Sequence, residues 1–325
     1  MTRPPMFPPP EFPPRRLALF QRMPPAVFPS ILGLSGLGLA LRRGLEALDL
    51  PAAPAEALLG AVFLLWAFAV VGYAVKTARR PGVVAEDLRI LPGRAGLASM
   101  TLGLLLLAAV LEPYAPGAAR AALFLGLALH AGLAGLILRQ ILTAPQGGRD
   151  VTPVWHLSFV GFIIGGLAAF PLGLPGLGNA LLWGTIPVAM AVWGISLVQL
   201  LRRIPPAPLR PLLAIHLAPA SLFGTVAALA GLPVLAAGFA VLGATILLAL
   251  LAAGRWITAS GFSPLWGAFT FPLAAYAGSL FAQGFDLPGI VVLMAALALV
   301  PWVAIKVLKS WAKGELAVKT NAALA

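Results

Sequence analysis

Cysteine is absent from all 325 residues. Its absence excludes disulfides, thiolate catalysis and cysteine-ligated metals. Charge is scarce as well: 10% of residues are Asp, Glu, Lys or Arg, against about 25% in an average soluble domain. What charge there is avoids ten apolar stretches, at 24–41, 57–75, 95–111, 121–138, 154–173, 179–201, 211–231, 233–254, 264–282 and 287–305. All 32 formally charged side chains are therefore expected in tails and connections. The HExxH, GxSxG, P-loop and Rossmann patterns are missing, as is any intramembrane pair of aspartates. Neither an enzyme nor an ATP-driven engine is indicated. Ion-coupled pumps bury carboxylates as relays, so a solute path here has to work without them.

What is present is hydrophobicity: 60% of residues are hydrophobic and the mean hydropathy is +0.97. Each stretch is long enough to cross the ~30 Å hydrocarbon core as a helix. With no water in that core, every backbone group has to be paired within a helix or a closed barrel. The stretch lengths decide for helices. The expected fold class is an all-α membrane protein, ten transmembrane helices as five helical hairpins. Residues 1–23, beginning MTRPPMFPPPEFPPRR, are too rich in proline for a helix and read as a disordered cytoplasmic tail. Within it, 17–20 suit the membrane interface. Residues 24–310 are expected to form the ten-helix transmembrane domain and 311–325 a cytoplasmic C-terminal tail.

A net charge of +12 raises the question of nucleic acid, and its distribution answers no. Arg3, Arg15, Arg16, Arg22, Lys76, Arg79, Arg80, Arg89, Arg94, Arg139, Arg149, Arg202, Arg203, Arg210, Arg255, Lys306, Lys309, Lys313 and Lys319 fall on one side of the ten-span arrangement. Only Arg42, Arg43 and Arg120 fall on the other. The positive-inside rule then puts both termini in the cytoplasm of a multi-pass inner-membrane protein.

The ionisable side chains within the spans are His130, His156 and His216. His130 lies near mid-membrane in the fourth span; His156 and His216 lie shallow, near the starts of the fifth and seventh. Each suits a hydrogen-bonded packing or vestibule role, or pH sensing. No cofactor and no metal are expected. Prolines inside spans (Pro29, Pro187, Pro219, Pro272 and Pro301) remove backbone hydrogen bonds and bend helices. Gly33, Gly36 and Gly38 in the first span, and Gly161, Gly165 and Gly166 in the fifth, allow close packing or leave room for a pore. The densest signal runs into the ninth span: Gly261-Phe262-Ser263-Pro264-Leu265-Trp266-Gly267-Ala268-Phe269-Thr270-Phe271-Pro272-Leu273-Ala274-Ala275. An aromatic directly before a proline sits at a bend. On a pore axis its ring closes the path by excluding water; off the axis it packs against lipid or a neighbouring helix.

The run WGAFTFPLAA resembles the ninth-helix signature of the tellurite-resistance/dicarboxylate transporter (TehA-like) family, which includes the plant slow-type anion channels. Other segments resemble that family in order: Met23 to Phe28 followed by Gly33 to Ala40, then Thr152-Pro153-Val154-Trp155, then Arg210 to Pro219 with its Ala-Pro bend. The resemblance implies a ring of five hairpins with odd helices inside, homotrimers with one pore per protomer, and a pore-occluding phenylalanine whose match is Phe271. Phe28, Pro29, Pro219, Pro272 and His216 are the further pore-bend and lining candidates. Two departures stand out. The third span has no internal proline, and the fifth has one only near its end, Pro171. The function implied is an anion channel conducting small inorganic anions through a path with no deep fixed positive charge. The alternatives are a carrier of C4-dicarboxylates or an exporter of tellurite or other oxyanions, and a non-transporting membrane scaffold or sensor.

Overall fold

A computed structural model describes residues 18–143 and 149–325. The expected tail therefore lies outside the described residues up to residue 17. The described chain is helical, with no strand among the described residues. In chain order the main segments are α1 (Pro25–Ala47), α2 (Ala53–Arg79), α3 (Leu91–Leu111), α4 (Pro116–Thr143), α5 (His156–Ala169), α6 (Pro175–Arg202), α7 (Ala207–Leu229), α8 (Pro233–Ala252), α9 (264–281) and α10 (Asp286–Ala312). Eight of these, all but α5 and α9, are long and apolar enough to cross a membrane.

Burial divides them. In their most apolar windows α1, α3 and α7 are 83%, 67% and 78% buried, whereas α2, α4, α6, α8 and α10 are between 22% and 39% buried. The buried class also packs in a closed circuit: α1 on α3, α3 on α5, α5 on α7, α7 on α9, and α9 back on α1. Each exposed helix packs against the buried segment before it. The exposed helices present Leu64, Phe68, Leu125, Trp183, Val241 and Leu248 outward, a surface that only a nonpolar solvent or a partner covers favourably.

Three buried segments change pitch at a proline. In α1 a 3-10 turn, Pro25–Val27, becomes α-helix at Phe28, one residue before Pro29. In α7 the 3-10 stretch Ala207–His216 becomes α-helix at Leu217, two residues before Pro219. In α9 the 3-10 stretch Pro264–Phe269 becomes α-helix at Thr270, two residues before Pro272. A first-turn residue has no intrahelical acceptor for its N–H, so proline starts the α portion at little cost. These prolines thus mark junctions rather than breaks within one α-helix. Pro187 and Pro301 do lie inside long α-helices. α3 is unbroken, with its proline, Pro92, in the first turn. α5 is irregular without any internal proline: π-helix over His156–Val160, 3-10 over Gly161–Gly165 and α over Gly166–Ala169.

The helices outrun the apolar stretches, which corrects the expectation that all charge sits in connections. α1 continues through Arg42, Arg43 and Glu46, α2 through Lys76, α3 carries Arg94 in its first turn, and α10 includes Lys306 and Lys309. Helical hydrogen bonding does not stop where the hydrocarbon does, and long basic side chains lay their stems along apolar surface.

Both described chain ends meet on one face, called here the terminal face. Lys76 and Asp87 are each 0% exposed and form an ion pair of 2.8 Å. Lys76 Nζ also donates to the Met23 carbonyl at 3.0 Å, and the Tyr73 hydroxyl donates to Asp87 Oδ2 at 3.0 Å. The backbone N–H of Ala323 donates to Asp87 Oδ1 at 2.8 Å, and that of Ala325 to the Gln21 carbonyl at 3.0 Å. A short helix, α11 (Glu315–Lys319), buries Leu316 beneath this junction. The segment expected as a tail is thus folded onto α2 and the start of α1. Removing one partner of such a buried pair leaves an uncompensated charge, at a cost of about 3–5 kcal/mol.

Candidate functional site

The site is built where α9 changes pitch. Thr270 Oγ1 donates to the Gly267 carbonyl at 2.7 Å, with the Pro29 carbonyl at 3.3 Å. Phe271 follows, 5% exposed, in one apolar cluster with Leu32, Leu102, Leu106 and Leu222. Its ring is seated by α1. A Cβ placed on Gly36 would come within 2.8 Å of Phe271 Cδ2, so only a glycine there admits the ring. Gly33 gives the same clearance to Thr270. The other glycines named from the sequence also serve packing: Gly38 faces Leu59, Gly161 faces Leu102, and Gly166 faces Val226.

Two cavities meet at this ring. The first, about 40 Å³, opens among the starts of the buried segments, lined by Ala26, Pro29, Ala95, Ser99, Leu157, Ile215, Ala218 and Pro272 among others. Among the described residues its one polar side chain is Ser99, whose hydroxyl is buried without a hydrogen-bond partner among them. The second, about 190 Å³, lies among the later halves of the same segments, lined by Gly36, Leu106, Leu167, Leu222, Thr225 and Gly278 and by the charged Arg42, Arg43, Glu46 and Glu112. Among the described residues Phe271 is the one residue that lines both.

The two arginines differ. Arg42 is neutralised by Glu56, with Nη2 2.8 Å from Oε2. Arg43 donates from Nη1 to the Gly278 carbonyl at 3.1 Å and has no carboxylate within ion-pairing distance among the described residues. A guanidinium without an ion-pair partner therefore stands in the second cavity beside Glu46 and Glu112, beyond the end of the first apolar stretch. The missed signal is in the sequence: the Gly-rich face of the first span continues in register past residue 41 into Arg43.

The remaining candidates divide. Pro29 and Pro272 line the first cavity. Phe28 and Pro219 are fully packed and line neither, Phe28 lying with Met23, Val27 and Ile31. His216 lines neither cavity. Its Nδ1 lies 3.0 Å from His156 Nε2, and its carbonyl accepts from Trp193 Nε1 at 3.1 Å. The pair holds the pitch change of α7 against α5 and α6. His130 is fully buried, with Nδ1 2.8 Å from Thr101 Oγ1. No group of three or more potential metal ligands occurs among the described residues.

No curated protein matches the chain. Residues 22–308 match the family described as SLAC1: Voltage-dependent anion channel. That match covers most of the sequence, and the protein belongs to this family, the tellurite-resistance/dicarboxylate transporters related to plant slow anion channels.

Proposed function

We propose that the protein is an inner-membrane channel for small anions, with Phe271 closing a pore between the two cavities. The observation that carries this reading is the shared wall: one phenyl ring, held by Gly36, separates an apolar cavity from a charged one. The closed circuit of buried segments supports a pore ringed by odd-numbered helices, with ten crossings paired as five hairpins. α9 falls short by hydropathy, but its six 3-10 residues and twelve α residues rise ~2.0 Å and ~1.5 Å each, roughly 30 Å in all. That matches the hydrocarbon core. The basic side of the sequence supports cytoplasmic termini, and the family resemblance supports a homotrimer with one pore per protomer.

Conduction needs sites weak enough to leave, and an apolar cavity with a single hydroxyl meets that need. Arg43 favours a second reading, a saturable carrier of C4-dicarboxylates or oxyanions, because an unpaired guanidinium forms bidentate bonds with a carboxylate. Single-channel recording of Phe271→Ala beside its thermal stability tests the first reading. A gate gives a strong rise in anion current with folding kept. A ring that only packs gives a protein destabilised by about 3–5 kcal/mol and electrically silent, which overturns it. Saturable flux without unitary current favours the carrier.

A further inference from the structure

On the terminal face, apart from the pore, α10, α11 and the start of α9 enclose a pocket of about 540 Å³. Lys306, Lys309, Lys313 and Lys319 line it. Lys319 is occupied by Glu315 at 2.7 Å, and this hydrogen bond holds the Glu315 carboxyl below its usual range. The other three lysines have no acidic partner within ion-pairing distance among the described residues. Two hydroxyls of the same pocket, Ser263 Oγ and Ser310 Oγ, are buried without a hydrogen-bond partner. Three lysines without an acidic partner thus line one concavity, with two unpartnered hydroxyls buried in its wall, a lining suited to an oxyanion. Buried hydroxyls are ordinarily hydrogen-bonded, and Lys is a standard point-charge partner for phosphate.

The pocket's level indicates the source of that oxyanion. Lys306 Nζ lies 3.9 Å from the Trp302 ring centre and 4.8 Å from that of Phe262. Trp266 completes the aromatic group, with centroids 5.6 Å from both Phe262 and Trp302. Such rings gather at headgroup depth, just where the apolar run of α10 gives way to lysines. Basic pockets between helices at that depth take anionic headgroups.

We propose that this pocket is a phosphate-group site, filled by the headgroup of an anionic phospholipid. It is independent of the permeation reading, because none of its residues lines the two pore cavities except Pro264 at its edge. An occupant would tie the start of α9 to α10 and α11, so it stabilises the folded state by mass action.

The test is thermal unfolding of the full chain in neutral detergent. It is run with added phosphatidylglycerol, phosphatidylcholine or inorganic phosphate at matched ionic strength, on wild type, Lys309→Gln/Lys313→Gln, and Arg202→Gln/Arg203→Gln as a control elsewhere among the basic residues. The expected result is a rise in Tm of about 2–4 °C with phosphatidylglycerol but not with phosphatidylcholine. The lysine variant should lose the rise and the arginine variant keep it. A rise with inorganic phosphate alone, lost in the same lysine variant, keeps the site and assigns it to the free ion. All four positions changed are exposed, so both variants are expected to fold. No rise with either phosphate source, a rise that survives in the lysine variant, or one lost equally in the arginine variant overturns the proposal.

Discussion

The two cavities on either side of Phe271 are made by the same five segments, yet they are chemically unlike. The one nearer the terminal face is small, walled by Ala, Leu, Ile and Pro, and carries one hydroxyl. The one beyond the ring is several times larger and holds four ionisable side chains. The difference follows from where each helix is cut. In their first turns the buried segments offer the cavity prolines and small apolar residues. At their other ends α1 supplies Arg42, Arg43 and Glu46, and the residue after α3 supplies Glu112. On the proposed path the barrier is asymmetric: an anion meets guanidinium and carboxylate groups on one side and has to shed water on the other.

Removing the divide is the strongest test of this comparison. Phe271→Ala joins the two spaces, and anion current should rise by about tenfold or more, the factor that ~1.4 kcal/mol off a barrier gives. With the ring gone, the charged side can be tested in the same background. Arg43→Gln should lower anion current by about tenfold and shift the reversal potential toward cations, since each factor of ten is ~1.4 kcal/mol of lost attraction. Unchanged selectivity would mean that Arg43 is held by Gly278 and idle.

The apolar side depends on Ser99. Ser99→Ala in the open background should reduce current two- to fivefold, on the order of 0.5–1 kcal/mol for one hydrogen bond. No change would show that permeating anions bypass the hydroxyl. A smaller effect is expected from alkaline pH. An unperturbed imidazole titrates near ~6.5, and neither cavity is lined by histidine. Flux in the open variant should therefore stay flat from about pH 7 to 9, whereas a steep change would assign a titrating group to the path.

The smallest effect lies outside both cavities. Glu86 is held below its ordinary value of 4.5 first by its hydrogen bond from Arg80, and Glu315 likewise by Lys319. A carboxyl with a depressed folded pKa contributes stability that is complete above its unfolded value and is lost as pH falls below it. Both pairs are exposed and screened, so acidification below 4.5 should move Tm by a barely measurable amount through these groups. A large drop removed by Glu86→Gln or Glu315→Gln would contradict this.

The outline was legible in the sequence because membrane helices announce themselves by length and lack of charge. Phe271 was singled out because the run WGAFTFPLAA resembles a family signature; the Phe-Pro pair alone does not distinguish it, since Phe28-Pro29 and Phe170-Pro171 share it, and its closing of a pore is a proposal. His156 and His216 were readable as sharing a depth, and the structure joins them at 3.0 Å, though away from both cavities. Arg43 was not legible as a cavity residue, because hydropathy ends a helix at the first charge while its backbone hydrogen bonds continue. The irregular α5 was hidden too: its pitch changes have no internal proline to mark them. The Lys76–Asp87 pair joins residues whose proximity depends on how a connection folds back, which no local pattern encodes.

That pair has a consequence for anyone who attaches something to this protein. Asp87 satisfies one oxygen with Tyr73 and Lys76 and the other with the backbone of Ala323. The last residues therefore act as a plug with a fixed length measured from Ala312. A peptide joined after Ala325 leaves that length alone. A linker of even a few residues inserted between Lys319 and Ala323 would pull the plug, open Asp87 to water, and loosen the joint where the first helix begins.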